Sequence, residues 1–567
     1  MSLTVAEYLL KALKQQQIDT LFLVPGGMID PFLRSYHTAG IRAIVTAHEA
    51  GAAYMADGYG RARRQFGVCM GIGGPGITNM ITAVAAAQSD HAPILIIGGS
   101  IPREWEGLEA VQDSSPSGIS DVTLLQPITG WSQQLPLAEA TPRFLRQALR
   151  SMFGYPRAPA FLSIPLTLQQ QRLTAPPYQP LPLGVPVRLC DRQQLQPLQS
   201  LLRAPRLLLW VGNGLLLSES SEQLQQFAER WQLPVVTTLR AKGALDERHP
   251  IAFGVFGIGG SLQASQLLLG SSDATIATAQ VVIALGVSMN EQNALAAGAF
   301  DSAVTLIDVD IDPARFEDSR YQVLPIQADC GAFLLAIAAD QQLSAALQQG
   351  VAERQQWLAA VRQTPYYAAA SDRHSDQQPL HPARVLTELR RYAPDDARLI
   401  ADSGAHTFFC AHYWQAYGPN QCFVWTNNGP MGYAVAAAIG MRLACPEQPI
   451  IAVIGDGGML MHGIELQTAV RYQVPIVVVV INNAALGNVY LRALSEQQQE
   501  AMALTRSPTH DWVAFAESLG AAGRRVTTPA QLAAALTWAF AAAAPILLDI
   551  HCGADYPTPN PGAAALL

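Results

Sequence analysis

The stretch Ile450-Ile-Ala-Val-Ile-Gly-Asp-Gly-Gly458, followed by Ile476-Val-Val-Val-Val-Ile-Asn-Asn483, carries the clearest fold signal in the chain. Each half is a short apolar run that ends in Gly, Asp or Asn, and a helical segment separates them. Such runs are typical of strands buried on both faces of a parallel sheet. Similar runs recur at residues 68–71, 94–98, 207–212, 281–286, 305–310, 399–404 and 546–550. The alternation predicts an α/β fold built of parallel sheets flanked by helices.

Two segments interrupt this alternation and predict linkers. Residues 174–186 contain five prolines, and residues 364–382 are polar. They divide the chain into three predicted domains, at 1–172, 188–345 and 380–567. The outer two resemble each other, because a Gly-Pro pair, an Ala-rich segment and an apolar run follow in the same order in both. We therefore expect two similar domains that flank a third.

Composition excludes several classes of protein. The chain has 567 residues, a net charge of −8 and 14% charged residues, whereas a nucleic-acid-binding protein shows a basic face. Its apolar runs are much shorter than the roughly 20 residues of a membrane span, and the N-terminus lacks a signal-peptide pattern. The seven cysteines are scattered rather than paired in a framework. We expect a cytoplasmic enzyme without nucleic-acid or membrane partners.

The Gly455–Gly458 segment predicts an anion and metal site. Asp456 lies between glycines, where the backbone can approach a ligand closely, and a helix beginning after Gly458 would direct N–H groups at an anion. Asn483 follows the next strand. A carboxylate, an amide oxygen and a loop carbonyl form an oxygen set suited to Mg²⁺, which would also hold a diphosphate. The alternative is an ordinary strand end with Asn-rich turn chemistry.

Two further segments have competing interpretations. Glu49, after His48, opens an Ala- and Gly-rich segment, and it is either a functional carboxylate or a first-turn acid favoured by the helix dipole. Residues 71–76 match the GxGxxG pattern of dinucleotide sites. Pro75 lacks an N–H there, so we interpret this segment as a tight backbone turn.

Together these segments resemble a known family. The motifs that carry the resemblance are Asp456 between glycines with Asn483 after the next strand, Pro25-Gly-Gly27, His48-Glu49, Gly74-Pro-Gly-Ile-Thr-Asn79 and Gly429-Pro-Met-Gly-Tyr433. The chain resembles the acetolactate synthase branch of the thiamin-diphosphate enzymes, alongside pyruvate oxidase and related 2-keto acid decarboxylases and lyases. The resemblance implies a pyrimidine-binding domain, a middle domain and a diphosphate-binding domain, in that order.

The resemblance also implies roles for individual residues. Asp456, Asn483 and the backbone carbonyl of Ala485 would ligate Mg²⁺. Glu49 would hydrogen-bond the cofactor's pyrimidine ring, so that the cofactor's own nitrogen deprotonates its thiazolium carbon, and Gln112 would be a second catalytic residue. The other residues expected at thiamin diphosphate are Gly26, Asn79, His406, Gly429, Met431, Gly457, Gly458, Leu486 and Gly487.

The implied reaction is decarboxylation of a pyruvate-like 2-keto acid, followed by carboligation to a second carbonyl of an aldehyde or keto acid. The expected substrate-pocket residues are Gly27, Asn488, Val489 and Arg492. The chain departs from the acetolactate synthases at Gly130, where they carry Lys, at Gly73, where they carry Ser, and at Asn488 and Arg492, where they carry Met and Trp. These departures leave the second substrate open. The enzyme alternative is a non-flavin 2-keto acid decarboxylase or a 2-hydroxyacyl or aldehyde lyase. The presence of Glu49, Asp456 and Asn483 argues against a non-catalytic relative.

Two expectations concern assembly and the middle domain. In this family, Glu49 and Asp456 of one active centre come from different subunits, which implies a homodimer or a dimer of dimers (a homotetramer). Residues 212–214 and 308–313 resemble the family's flavin- or ADP-binding segment. The adjoining residues 286–293 depart from the family pattern, which leaves FAD, ADP and an empty pocket as alternatives.

Overall fold

Three six-stranded sheets organise the chain, and the strand pairings within each of them are parallel. The computed structural model describes residues 2–174, 176–184, 187–271, 275–294, 303–317, 322–424 and 427–559. Met1, Pro186 and residues 560–567, which belong to the predicted domains and linkers, lie outside these ranges. Helices cover the sheets, so the predicted α/β class is confirmed.

The first sheet has the strand order β3-β2-β4-β5-β7-β6. A separate antiparallel ribbon pairs β1 with β8. The strands are β1 Ser2–Thr4, β2 Thr20–Leu23, β3 Arg42–Val45, β4 Gly67–Ile72, β5 Ile94–Ser100, β6 Trp131–Gln134, β7 Ala160–Pro165 and β8 Arg172–Thr174. The α-helices are Val5–Gln15, Asp30–Leu33, Glu49–Arg63, Pro75–Thr78, Ile81–Ser89, Asp121–Leu125, Thr141–Met152 and Leu166–Gln170.

The middle sheet has the strand order β11-β10-β9-β12-β13-β14. Its strands are β9 Leu207–Val211, β10 Val235–Thr237, β11 Ala252–Val255, β12 Val281–Leu285, β13 Thr305–Asp310 and β14 Gln322–Gln327. The α-helices are Arg192–Leu195, Leu198–Leu201, Asn213–Leu217, Ser221–Arg230, Leu262–Leu269, Glu291–Ala294, Cys330–Ala339, Gln341–Gln349 and Val351–Val361. The last helix packs on this sheet through Trp357, Leu358 and Val361, beyond the predicted boundary at 345.

The third sheet has the order β16-β15-β17-β18-β20-β19. Its strands are β15 Arg398–Ala401, β16 Cys422–Val424, β17 Ile450–Gly455, β18 Val477–Asn482, β19 Ala522–Val526 and β20 Ile546–His551. The α-helices are Pro382–Tyr392, Ala405–Tyr413, Tyr433–Ala444, Asp456–His462, Leu466–Arg471, Gly487–Ser495, Gln499–Thr505, Trp512–Ser518 and Pro529–Ala541. The strand order repeats that of the first sheet when each is numbered from its own first strand, which confirms the predicted similarity of the outer domains.

Short 3₁₀ turns connect several of these elements. They are Gly27–Ile29, Arg103–Trp105, Gln126–Ile128, Ala138–Ala140, Leu239–Ala241, Pro313–Glu317, Ala370–His374 and Gly463–Glu465.

The first and third domains share one hydrophobic core, in which helix Glu49–Arg63 crosses helix Tyr433–Ala444. The crossing is so close that a Cβ on Gly58 would overlap the carbonyl oxygen of Ala437, and one on Gly440 would overlap that of Met55. The Ala- and Gly-rich composition of both helices permits this approach of backbone to backbone.

Apolar strands and helices account for the hydrophobic composition, since β17 and β18 are buried over nearly their whole length. In the described part of the chain, no single helix is long and apolar enough to cross a membrane. One sharply bent pair, Cys330–Ala339 with Gln341–Gln349, reaches that length and composition only when both helices are counted together.

Candidate functional site

Asp456 follows β17 directly and is the first residue of helix Asp456–His462. The expectation that the helix begins after Gly458 is wrong, because Gly457 and Gly458 lie in its first turn. An acid is favoured at this position by the helix dipole. Asp456 is only 2% exposed, and neither carboxylate oxygen has a hydrogen-bond partner among the described residues. Burial raises the pKa of this carboxyl to about 6.

Asn483 lies beside this carboxylate because β17 and β18 are parallel neighbours, with Gly455 paired to Ile481. The Asn483 Oδ1 accepts the backbone N–H of Ala485 at 3.2 Å, across Ala484 in the left-handed region at φ +50°. Asp456, Asn483 and Ala485 line one cavity. The described residues contain no group of three or more His, Cys, Asp or Glu side chains placed to hold a metal ion. A cation here would therefore depend on one carboxylate with amide and backbone oxygens, a donor set that fits Mg²⁺.

The same cavity brings together residues from several distant segments. It is lined by the predicted cofactor residues His406, Met431, Gly457, Gly458, Leu486 and Gly487. His406 is 5% exposed, its Nε2 has no partner within the described ranges, and burial lowers its pKa to about 4. The imidazole is therefore neutral near pH 7 and has a ring nitrogen free for a ligand. Gly429 adopts φ +58° two residues before Met431.

Close packing beside Met431 explains the glycines at positions 457 and 458. A Cβ on Gly457 would lie 2.9 Å from Cδ2 of Leu486 and 3.1 Å from Cε of Met431. A Cβ on Gly458 would overlap the carboxylate of Asp402. The two glycines thus bring the start of helix Asp456–His462 close to the apolar side chains of the cavity.

Asp402 is a site residue that the sequence analysis missed. It follows β15, the strand next to β17, and is 0% exposed. Its carboxylate accepts the N–H groups of Gly432 at 2.7 Å and Ala434 at 3.2 Å. Burial raises its pKa to about 7. A strand-end Asp adjacent to the strand of Asp456 was the available signal.

Residues that follow β20 also reach this cavity. Gly553, Ala554 and Tyr556 line it, and the Tyr556 hydroxyl donates to the carbonyl oxygen of Pro379 at 2.8 Å. The neighbouring Asp555 accepts the hydroxyl of Tyr490 at 2.6 Å. The chain after β20 therefore forms one wall of the cavity.

Glu49 forms a second cluster with Asn79. Glu49 is the first residue of helix Glu49–Arg63, and its Oε2 accepts the side-chain N–H of Asn79 at 2.9 Å. Its Oε1 lies 3.7 Å from the position of a Cβ on Gly76. Gly26 packs against Ile72, at the end of β4. The residues that line the Asp456 cavity in the described chain do not include Glu49.

Gln112 and the Gly73–Gly74 turn lie next to one another. Gln112 is exposed, in the left-handed region at φ +59°, and its Cα lies 3.6 Å from the position of a Cβ on Gly74. A Cβ on Gly73 would overlap the Ser114 hydroxyl. Ser114 therefore occupies the space that a serine at position 73 would need.

None of the expected substrate-pocket residues is among the described residues that line the Asp456 cavity. Asn488, Val489 and Arg492 are exposed on helix Gly487–Ser495, and Gly27 faces open space. At Gly130, a Cβ would lie only 2.8 Å from that of Ala158. A lysine side chain at this position would require the backbone to shift.

A separate cleft beside the middle sheet is lined by Asn213, Gly214, Gly286, Asp310 and Arg315, with Arg157 and Arg240. A Cβ on Gly212 would overlap the carbonyl oxygen of Gly286, so the turn after β9 packs directly on the end of β12. The cleft includes segments that the sequence analysis assigned to nucleotide binding. Its occupancy by FAD or ADP stays a prediction.

Comparisons with known proteins match part of each of the three sheets. Residues 3–120 match the model of the thiamine pyrophosphate enzyme N-terminal TPP binding domain, residues 196–337 the central domain, and residues 402–550 the C-terminal TPP binding domain.

Curated relatives match over nearly the whole chain. An acetolactate synthase of Mycobacterium bovis is 31% identical over 98% of this chain and 88% of its own length. A probable acetolactate synthase large subunit of Methanococcus aeolicus is 29% identical over 96% of this chain and 91% of its own length. The acetolactate synthase isozyme 3 large subunit of Escherichia coli is 28% identical over 94% and 92%, respectively.

Proposed function

Because the chain belongs to the thiamine pyrophosphate enzyme family, we propose that it decarboxylates a pyruvate-like 2-keto acid and joins the remaining carbon unit to a second carbonyl. The reaction is that of an acetolactate synthase-like carboligase. Thiamin diphosphate supplies, when bound, a nucleophilic carbon and an electron sink for the loss of CO₂.

The observation that carries this proposal is the buried carboxylate of Asp456. Its two oxygens have no partner in the described chain, and Asn483 and Ala485 line the same cavity. A buried, unpaired carboxylate is costly unless a cation or a hydrogen-bond donor compensates it. We assign Asp456, the Asn483 amide oxygen and the Ala485 carbonyl as the Mg²⁺ ligands, and the neutral His406 as a hydrogen-bond partner of the diphosphate.

Glu49 is assigned as the residue that holds a proton at the cofactor's pyrimidine ring. Its backbone position at the start of a helix and the 2.9 Å hydrogen bond from Asn79 fix the direction of its carboxylate. The turn at Gly76 lies beside this carboxylate, where a Cβ would be 3.7 Å from Oε1. Met431, which lines the cavity of Asp456, would provide the apolar surface that bends a bound cofactor.

A second copy of the chain completes the active centre in this proposal. Glu49 does not line the cavity of Asp456 in the described chain, and the exposed face beside that cavity is apolar. Leu460, Met461 and Ile464 on this face are 56%, 51% and 42% exposed. Clustered exposed apolar side chains of this kind favour a protein interface. The proposed assembly is a homodimer or a dimer of dimers.

Product analysis tests the reaction. Purified protein is supplied with thiamin diphosphate, Mg²⁺ and pyruvate, and then with pyruvate and a panel of aldehydes and keto acids, and mass spectrometry identifies the products. Acetolactate or another carboligation product supports the proposal. Free aldehyde as the sole product overturns the carboligation step and favours a decarboxylase.

A further inference from the structure

Glu465 joins the two outer domains at a point that no part of the proposed chemistry uses. It ends the 3₁₀ turn Gly463–Glu465, directly after helix Asp456–His462, and it is 0% exposed. Its Oε2 accepts the backbone N–H of Ala47 at 3.1 Å, and its Oε1 accepts that of His48 at 3.0 Å. The hydroxyl of Thr468 donates to Oε2 at 2.7 Å. Together, these three donors hold the carboxylate in one orientation.

Part of this contact is explained by the sheet. Within the described residues, β3 is an edge strand whose outward N–H groups have no strand partner. The Tyr472 hydroxyl accepts the N–H of Val45 at 2.8 Å, and Glu465 continues this capping beyond the end of the strand. A neutral acceptor would be sufficient for capping, however, whereas a buried carboxylate carries a desolvation cost, seen here as a raised pKa of Glu465.

The contact with Glu465 lies at the two residues that set the direction of Glu49. His48 is the N-cap of helix Glu49–Arg63, and its ring Nδ1 accepts the N–H of Ala50 at 3.1 Å. Gly51, in the first turn of the helix, faces Glu465 so closely that a Cβ would overlap the carboxylate. The start of the helix is therefore held from both sides, and the Glu49 side chain inherits its direction from this backbone.

We propose that Glu465 is a positioning residue for Glu49. Glu465 holds the amides of Ala47 and His48 so that the Glu49 carboxylate reaches the cofactor ring. The inference rests on the proposed function of Glu49. Glu465 lies just after the helix that begins at Asp456. It therefore links the helix proposed to bind the diphosphate to the segment that carries Glu49. If the centres lie between subunits, these two segments belong to neighbouring centres of the dimer.

The test compares Glu465→Gln with the wild type as the holoenzyme with thiamin diphosphate and Mg²⁺. The carboxamide of glutamine has only one acceptor oxygen, so one of the two backbone N–H groups would lose its acceptor and face the NH₂ group instead. We expect amide hydrogen exchange in the peptide containing Ala47 and His48 to be at least about tenfold faster. Since a misplacement of about 1 Å can cost roughly 100-fold in rate, we expect kcat and the exchange rate of the cofactor's C2 proton to fall together by about 10- to 100-fold. The KM for the 2-keto acid should change less than about threefold.

The matched control is Glu247→Gln. Glu247 is also a buried glutamate that accepts the N–H of Ala416 at 2.8 Å and pairs with Lys242 at 2.7 Å. Its contacts join the middle and third domains and do not involve the segment of Glu49. This variant should lower the melting temperature while leaving C2 exchange and amide exchange at Ala47 and His48 unchanged. Equal effects of both variants on C2 exchange would show a general loss of stability and overturn the proposal.

Thr468→Val keeps the proposal testable if Glu465→Gln does not fold. It removes only the hydroxyl that orients Glu465. We expect exchange of the cofactor's C2 proton to slow by about two- to fivefold, which is less than the loss expected for Glu465→Gln because Glu49 would be displaced less. Unchanged amide and C2 exchange in the folded variants overturns the positioning role. A wild type whose bound cofactor exchanges its C2 proton no faster than free cofactor overturns the proposed function itself, so the two failures are distinguishable.

Discussion

The Oδ2 of Asp402 accepts the backbone N–H of Gly432 at 2.7 Å, one residue after Met431. The same carboxylate holds the N–H of Ala434 at 3.2 Å, so it spans the left-handed turn at Gly432, where φ is +88°. Met431 lines the cavity of Asp456. The carboxylate of one strand end thereby sets the position of the side chain proposed to bend the cofactor.

Asp402→Asn tests this relationship. The substituted NH₂ would face a backbone N–H, and a buried donor without an acceptor costs about 1–3 kcal/mol. We expect thiamin diphosphate affinity to fall about tenfold, which corresponds to roughly 1.4 kcal/mol. Isothermal titration in excess Mg²⁺ measures the affinity, and an unchanged dissociation constant would contradict the role assigned to this carboxylate.

The adjacent residues Asn482 and Asn483 form a matched pair for the metal site. Asn482 is 4% exposed and donates to Asp549 at 2.9 Å, whereas Asn483 lines the cavity. Asn483→Ala should weaken Mg²⁺-dependent cofactor binding by at least about tenfold. Asn482→Ala should chiefly lower thermal stability. Titration of Mg²⁺ against both variants, at fixed cofactor concentration, separates the two effects; equal metal affinities would refute the assignment.

Glu49→Gln should reduce turnover without removing the cofactor. General acid–base groups contribute about 10²- to 10⁴-fold to rates, so we expect kcat to fall at least about 100-fold. Cofactor affinity should stay within a few-fold. Asn79→Ala, which removes the hydrogen bond to Glu49, should give a smaller loss. Steady-state kinetics and cofactor titration on the same preparations provide the comparison, and full activity in Glu49→Gln would exclude the proposed mechanism.

Asp121 predicts a pH dependence of stability. This carboxyl is 1% exposed, accepts the N–H of Gly74 at 3.1 Å, and burial raises its pKa to about 7. A raised pKa means that the folded state retains a proton that the unfolded state loses above pH 4. The contribution of Asp121 to stability is therefore present below about pH 4 and is lost as the pH rises through about 7.

Asp121→Asn removes this titration. We expect the variant to gain stability relative to the wild type between pH 4 and pH 8, by an amount on the order of 4 kcal/mol. Melting temperatures of the cofactor-free proteins at several pH values provide the measurement. A difference between the two proteins that does not vary with pH would show that Asp121 does not titrate in this range.

Much of the fold could be predicted because apolar runs that end in Gly, Asp or Asn mark buried parallel strands directly. The strands around residues 450–455 and 476–482 were predicted within a residue or two, and their parallel pairing places Asp456 beside Asn483. The first residue of the helix was predicted wrongly, since glycines such as Gly457 and Gly458 are poor helix formers in isolation, whereas in the structure both lie in the helix and pack closely against Leu486 and Asp402.

Asp402 ends one of the predicted strands, so its position could be predicted, but its contacts with the amides of Gly432 and Ala434 could not. Glu465 is an isolated acid with no spacing pattern, and its function depends on backbone groups that are distant in sequence. Glu465 binds amides at residues 47 and 48, a contact that exists only after both outer domains have folded and docked. Sequence patterns report on local structure and on strand ends, whereas such contacts arise from tertiary packing.

The crossing of helices Glu49–Arg63 and Tyr433–Ala444 has a consequence for the connectivity of the chain. Since the outer domains touch backbone to backbone at Gly58 and Gly440, their association does not depend on the polypeptide that runs between them. Proteolytic nicking in the proline-rich segment 174–186 would leave fragments that remain associated. The linker therefore sets the order of the domains along the chain, but it is not what holds the outer two domains together.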